Sequence, residues 1–136
     1  LRLLLDTCAI LWAGNGDPLS DLAVDAIDAA HDAREPLAIS AISAWEIGLL
    51  VSRNRLSLPQ PVPDWFAAFV KGSRCKVEHL DTDILVSSSF LPGDPPKDPA
   101  DRMVIATARH TGRMIVTRDR RILGYAEDGH VKAIPC

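Results

Sequence analysis

The sequence predicts an α/β fold built on a largely parallel sheet, and three observations point there. Short strand candidates at 3–5, 37–39, 77–80, 114–116 and 131–134 alternate with longer segments of helical pattern, the signature of strands joined by crossover helices. The first run, Leu3, Leu4 and Leu5, is continuously apolar, as a strand buried on both faces must be. It stops abruptly at Asp6, and the run 114–116 is likewise followed by Thr117, Arg118 and Asp119. In an open parallel sheet the carboxyl ends of the strands border one crevice.

Each element follows in order. Residues 7–12 begin directly after the first strand, and Gly14, Gly16 and Pro18 mark a loop. Ser20 reads as the N-cap of a helix over 20–33, with Leu22, Ala23, Ala26, Ile27 and Ala30 on its apolar face. Asp17, Asp21, Asp25, Asp28 and Asp32 fall mostly on the other side and read as solvated surface. Pro36 ends that helix before the second strand at 37–39. A helix over 43–53 follows, where Ser43-Ala44-Trp45-Glu46 matches the S-x-x-E capping box. Pro59, Pro61 and Pro63 punctuate the next loop, and 64–70 is a short helix carrying Trp65, Phe66 and Phe69.

The third strand is placed at 77–80 and a helix at 83–90. Residues 92–99 contain Pro92, Pro95, Pro96 and Pro99, so they form a rigid loop rather than regular structure. Asp98-Pro99-Ala100-Asp101 is a strong helix start, with Asp98 as N-cap, Pro99 at the first helical position and Asp101 in the first turn. That helix runs to about His110, and Gly112 stops it. A strand at 114–116, a short helical turn at 120–123 and a last strand near 131–134 complete a single domain over 1–136, without repeats or low-complexity tracts.

Composition limits the function classes. With 136 residues, 47% hydrophobic and 24% charged, the chain has the make-up of a globular domain able to bury a core. No apolar stretch reaches the roughly 20 residues of a membrane span, and Asp6 interrupts the only apolar start a secretory signal would use. Cys8, Cys75 and Cys136 are an odd, widely spaced set, which fits a reducing cytoplasm rather than a disulfide framework. The net charge of −3 is unevenly spread: Arg102, Arg109, Arg113, Arg118, Arg120 and Arg121 crowd the last third.

The candidate chemistry lies in Asp6, Glu46, Asp101 and Asp119. Individually, Glu46 and Asp101 can be capping-box acids, and Asp119 can cap the helix after it. Asp6 is harder to explain structurally, because a carboxylate closing a buried strand is costly without a partner. Gathered in one pocket, the four would repel each other and raise their own pKa values unless cations sat among them. An oxygen-only donor set suits Mg²⁺ or Mn²⁺, and such ions serve phosphoryl transfer. The scattered His31, His79, His110 and His130 have no zinc-ligand spacing to the cysteines.

Leu3-Leu4-Leu5-Asp6-Thr7, Ser43-Ala44-Trp45-Glu46-Ile47, Asp98-Pro99-Ala100-Asp101-Arg102 with Ile105-Ala106-Thr107-Ala108, and Val116-Thr117-Arg118-Asp119 together resemble the PIN-domain nucleases. More narrowly, the chain resembles the VapC-type toxins of type II toxin–antitoxin pairs, over essentially its whole length. The resemblance implies a three-layer α/β/α sandwich with a mainly parallel central sheet. It also implies a Mg²⁺- or Mn²⁺-dependent ribonuclease acting on cellular RNA such as tRNA or rRNA. By motif, Asp6, Glu46, Asp101 and Asp119 match the family's catalytic metal site, Thr7 and Thr117 its supporting hydroxyls, and Arg102 the residue after the third acid. The family commonly carries His two residues before the Asp98-Pro99 pair, where this chain has Pro96.

The resemblance further implies a cognate antitoxin that neutralises the toxin, and a homodimer. Trp45, Trp65, Phe66 and Phe69 are candidates for an antitoxin groove or for the core. Arg118 and Arg121, with Arg109, Arg113 and Arg120, are candidates for RNA phosphates or for acidic antitoxin side chains. Two other classes are weighed against this one. A haloacid-type phosphatase wants acids two apart at the first strand, where Cys8 stands; a receiver wants adjacent early acids and a strand-end lysine. A catalytically silent PIN-like scaffold for RNA or protein is the remaining alternative, and loss of an acid would mark it.

Overall fold

The computed structural model describes residues 2–136. Five strands form one sheet in the order β3-β2-β1-β4-β5: β1 (Leu3–Leu5), β2 (Ala38–Ser40), β3 (Lys76–Glu78), β4 (Met114–Thr117) and β5 (Ala133–Pro135). Every pairing is parallel, with Leu4 opposite Ala38 on one side and Ile115 on the other. The chain winds from β1 to β3 in one direction, then crosses back to lay β4 along the free side of β1. The reversal opens a crevice beyond the carboxyl ends of β1 and β4, where Asp6 and Asp119 stand.

Alternation along each strand divides the core between the two faces. Leu3, Leu5, Ile39 and Val116 pack with Ala9, Ile10, Ala23, Ile47 and Trp65. Leu4, Ala38 and Ile115 pack with Ile84, Val104, Ile105, Ile122 and Tyr125. The first face is covered from α1 (Thr7–Gly14), α2 (Asp21–Asp32), α3 (Ile42–Ser52) and α4 (Val62–Ser73). The second is covered from α5 (Thr82–Ser89), α6 (Pro99–Thr111) and α7 (Arg120–Glu127). The result is the expected α/β/α sandwich. Among the described residues no helix is long and apolar enough to cross a membrane.

Caps set several boundaries as the sequence predicts. Ser20 accepts from the Ala23 N–H, Asp98 from the Asp101 N–H, and Gly112 closes α6 with φ +67°. Four expectations need correction. Gly14 is the last residue of a helix, α1, that also holds residues 7–12, rather than part of the loop; that helix is apolar all round and so has no period to read. Its Gly14 lets α4 close in, since a Cβ there would lie 2.6 Å from the Trp65 ring. Leu22 is 53% exposed rather than on the buried face of α2. The capping box at Ser43 does not form: α3 begins at Ile42, inside which Ser43 turns to Thr7 instead. Finally, α4 and α7 are longer than the aromatic cluster and the 120–123 turn suggest.

Arg113 is also corrected. It is 4% exposed and donates to the carbonyls of Leu3 and Pro36 and to Glu78, 3.4 Å away. This guanidinium ties the starts of β1, β2 and β4 to edge strand β3, and it is not a surface contact for RNA or antitoxin.

Candidate metal-binding acidic cleft

Asp6 reaches the crevice because its backbone N–H still pairs with Val116 while its side chain caps α1, accepting from the Ala9 N–H at 2.9 Å. The other carboxylate oxygen accepts from the hydroxyl of Thr117, which in turn accepts from the Asp119 N–H at 2.9 Å. Thr117, fully buried, thus spaces Asp6 and Asp119 across the β1–β4 crevice. Asp119 caps α7 by accepting from the N–H groups of Arg121 and Ile122. The expectation that Asp6 lacks a partner fails: it is 5% exposed and held from two directions.

Glu46 comes from the first turns of α3. Thr7 donates to it at 2.5 Å, and Thr7 lies 2.9 Å from the hydroxyl of Ser43, which is positioned to donate back. Those hydroxyls hold the carboxylate against the start of α1, inside the cleft, rather than at its own helix terminus. Asp101 enters from α6, whose N-cap Asp98 leaves its own carboxylate beside it. One oxygen each from Glu46, Asp98 and Asp101 lies within 4.8 Å of the others. Asp6 and Asp119 stand outside that tightest group but line the same cavity of about 240 Å³, with Thr7, Cys8 and Arg121.

Crowding shows in the ionisation. The Asp6 carboxyl is raised by burial first, against the lowering effect of Thr117 and Ala9. Glu46 is raised by burial and by the charges of Asp98, Asp6 and Asp119, with Thr7 opposing. Asp101 is pushed up to about 7 by burial and then by Asp119, Asp98, Glu46 and Asp6. The Cys8 thiol is pushed up to about 12, by burial first and then by Asp6 and Asp119, so it stands in the cleft as a neutral group. Cations placed among the carboxylates would reverse these shifts.

The remaining predicted residues divide. Arg102 donates to the carbonyls of Ser88, Ser89 and Pro96, bracing the proline loop that delivers Asp98. Arg118 donates to the carbonyls of Cys136 and Pro18 and lies 3.4 Å over the Trp12 ring. Arg121 is exposed and lines the cavity. Trp65 stacks on Phe69 in the core, whereas Trp45 is 55% exposed. Sequence reasoning missed Asp98 and Ser43 as site residues. Asp98 had a signal, since acids three apart on a first turn are neighbours; Ser43 had none, because its partner is 36 residues away.

The PIN domain family pattern matches residues 3–128. The chain belongs to the PIN domain family. Relatives agree with that assignment: the chain is 34% identical over 121 residues to "Ribonuclease VapC22" of Mycobacterium tuberculosis (strain ATCC 25618 / H37Rv), covering 88% of each. Among solved structures this PIN domain is similar to VapBC2 from Rickettsia felis, described as bound to a promoter DNA fragment. The TM-score is 0.72 at 15% identity, over 100% of this chain and 99% of that one. FitAcB from Neisseria gonorrhoeae gives a TM-score of 0.60 at 19% identity, over 98% and 96%. At those identities the structures bear on the fold alone.

Proposed function

We propose that this PIN domain is a Mg²⁺- or Mn²⁺-dependent endoribonuclease, the toxin of a toxin–antitoxin pair, acting as one nuclease domain over 1–136 in the cytoplasm. The observation that carries the reading is the convergence of Asp6, Glu46, Asp98, Asp101 and Asp119 on one cleft with Asp101 raised to about 7. A donor set of carboxylate oxygens fits hard divalent cations, and the name of the 34% identical relative supports ribonuclease activity. When bound, such ions screen charge on a phosphodiester and help ionise a water.

The chain's own residues supply position and charge. Thr117 and Ala9 hold Asp6, Thr7 holds Glu46, and the α7 N-terminus holds Asp119. Asp6, Glu46, Asp101 and Asp119 are the residues assigned to the ions, with Asp98 added to them. Arg121 is the cation lining the cleft, placed to meet phosphate oxygens. In hydrolysis a water oxygen bonds to phosphorus, one phosphorus–oxygen ester bond breaks, and the leaving ribose oxygen takes up a proton.

Similar solved structures include VapBC2 and FitAB bound to DNA fragments, which supports a cognate antitoxin for this chain. An apolar groove of about 440 Å³ between α1, α2 and α4, lined by Leu19, Ile27, Leu37 and Phe69, suits such a partner. The exposed Val86 and Phe90 of the α5 region suit a homodimer contact. The test is cleavage of RNA by the purified chain with Mn²⁺ or Mg²⁺ and its arrest by EDTA. Equal cleavage in excess EDTA contradicts the metal assignment, and no cleavage under either condition by antitoxin-free protein favours the scaffold.

A further inference from the structure

Beside the acidic cleft lies a second depression of about 330 Å³ that shares Glu46 and Asp98 with it and continues along α3 over Trp45, Leu49 and Leu50 to Arg53 and Arg55. Trp45, Leu49 and Arg53 are four residues apart and therefore lie along one side of the helix, spanning about 12 Å at the helical rise. Trp45 is 55% exposed, a large aromatic face left in solvent one residue from a site carboxylate.

The arginine end is rigidly presented. Asn54 adopts φ +56°, its N–H bonds to Val51, and the Arg55 N–H bonds back to Leu50 at 2.9 Å. This is a Schellman closure, and it fixes Arg53 and Arg55 on either side of the turn. Both side chains are exposed. Among the described residues the ion pairs are those of Glu78 with Lys76 and Arg113, so neither Arg53 nor Arg55 is neutralised. By contrast, Arg102, Arg109, Arg113 and Arg118 all donate to backbone carbonyls.

We propose that this face of α3 is the substrate subsite for a single-stranded segment of RNA adjoining the scissile phosphate. A base stacks on Trp45, and neighbouring phosphates lie on Arg53 and Arg55. The inference rests on the ribonuclease reading and assigns the hold on the substrate strand to named side chains of α3. The charge order favours a nucleic acid strand: carboxylates that take cations, then an aromatic and apolar floor, then two unpaired guanidinium groups. A strand alternates flat bases with phosphates in the same way, and an aromatic platform with a basic groove is how proteins hold unpaired strands. The base must be free of its own helix to reach Trp45.

The experiment uses the full chain and a fluorescein-labelled single-stranded oligoribonucleotide of mixed sequence, beside the same sequence closed into a hairpin stem. Anisotropy reads binding, and cleavage with Mn²⁺ reads kcat and KM. Trp45→Ala is expected to weaken single-strand binding roughly 5- to 50-fold and to raise KM more than it lowers kcat, with Trp45→Phe restoring most of the loss. Arg53→Ala with Arg55→Ala is expected to lower the salt slope of binding by about one to two. The stem is expected to bind more weakly than the strand and to respond less to Trp45→Ala.

Unchanged anisotropy in both variants overturns the subsite, as does a fall in kcat alone, which would make Trp45 a prop for Glu46. Unchanged RNA binding together with a lost protein contact, read as dissociation of a dimer or of a co-purified antitoxin, overturns it too and gives the face to that protein. If the wild-type chain cuts no RNA but binds the strand through Trp45, the ribonuclease reading fails while the binding subsite stands.

Discussion

The two edges of the sheet treat buried charge in opposite ways. At the amino edge Arg113 is buried among acceptors, two carbonyls and Glu78, which itself also pairs with Lys76 at 3.2 Å. At the carboxyl edge Asp6, Glu46, Asp98, Asp101 and Asp119 share a cleft in which Arg121 is the cation. One edge is met by the protein's own groups, save the buried Arg113 Nε, which has no acceptor among the described residues. The other is held in place by hydroxyls and N–H groups yet left with excess negative charge, and such frustration at a precise position is a mark of function rather than of packing.

The contrast breaks most visibly in activity. Asp6→Asn or Asp119→Asn is expected to slow Mn²⁺-supported RNA cleavage on the order of 10²-fold or more, measured on a labelled RNA. Arg113→Ala, at the settled edge, is expected to leave the site's chemistry in place but to cost about 3 kcal/mol in urea unfolding, because it leaves Glu78 and two carbonyls with fewer partners. A cost under about 1 kcal/mol would mean the clamp contributes little. Thr117→Val is expected to cost roughly 1–3 kcal/mol, since Asp6 loses a donor and the Asp119 N–H an acceptor; melting that matches wild type would show that the two acids do not depend on it.

A change of pH sharpens the comparison further. Asp101 is raised from 3.8 to about 7 in the folded chain, so between those values the folded state holds more protons than the unfolded one. Stability in EDTA therefore falls as pH rises through that window. The penalty is absent below it and complete above it. Melting temperatures from pH 4 to 8 should fall more steeply for wild type than for Asp101→Asn, and parallel curves would remove Asp101 from the crowded group.

Much of this was legible in the chain, for reasons particular residues make plain. Leu3–Leu5 and residues 115–117 are buried on both faces, so these runs mark the strands and hence where Asp6 and Asp119 must fall. Asp98-Pro99 and Gly112 bracket α6 by local chemistry alone. Contacts between distant segments were not legible: Ser43 with Thr7, or Arg113 with Glu78, 35 residues away. Nor does an arginine's identity say whether it is buried like Arg113 or free like Arg53. Asp101 was legible as a helix acid and as a site acid, and only its neighbours distinguish the two.

The most direct test of the account is therefore a pair of melting curves for Asp101→Asn and wild type, one in EDTA and one in Mn²⁺, beside an RNA-cleavage rate. If the carboxyl edge is a cation site, the variant melts at or above wild type in EDTA, because like-charge repulsion is relieved. It also loses most of the stabilisation from Mn²⁺ and nearly all cleavage. A variant that melts earlier in EDTA, gains as much from Mn²⁺ as wild type and still cuts RNA would contradict it, leaving Asp101 a helix-terminus acid of about 0.3–1 kcal/mol.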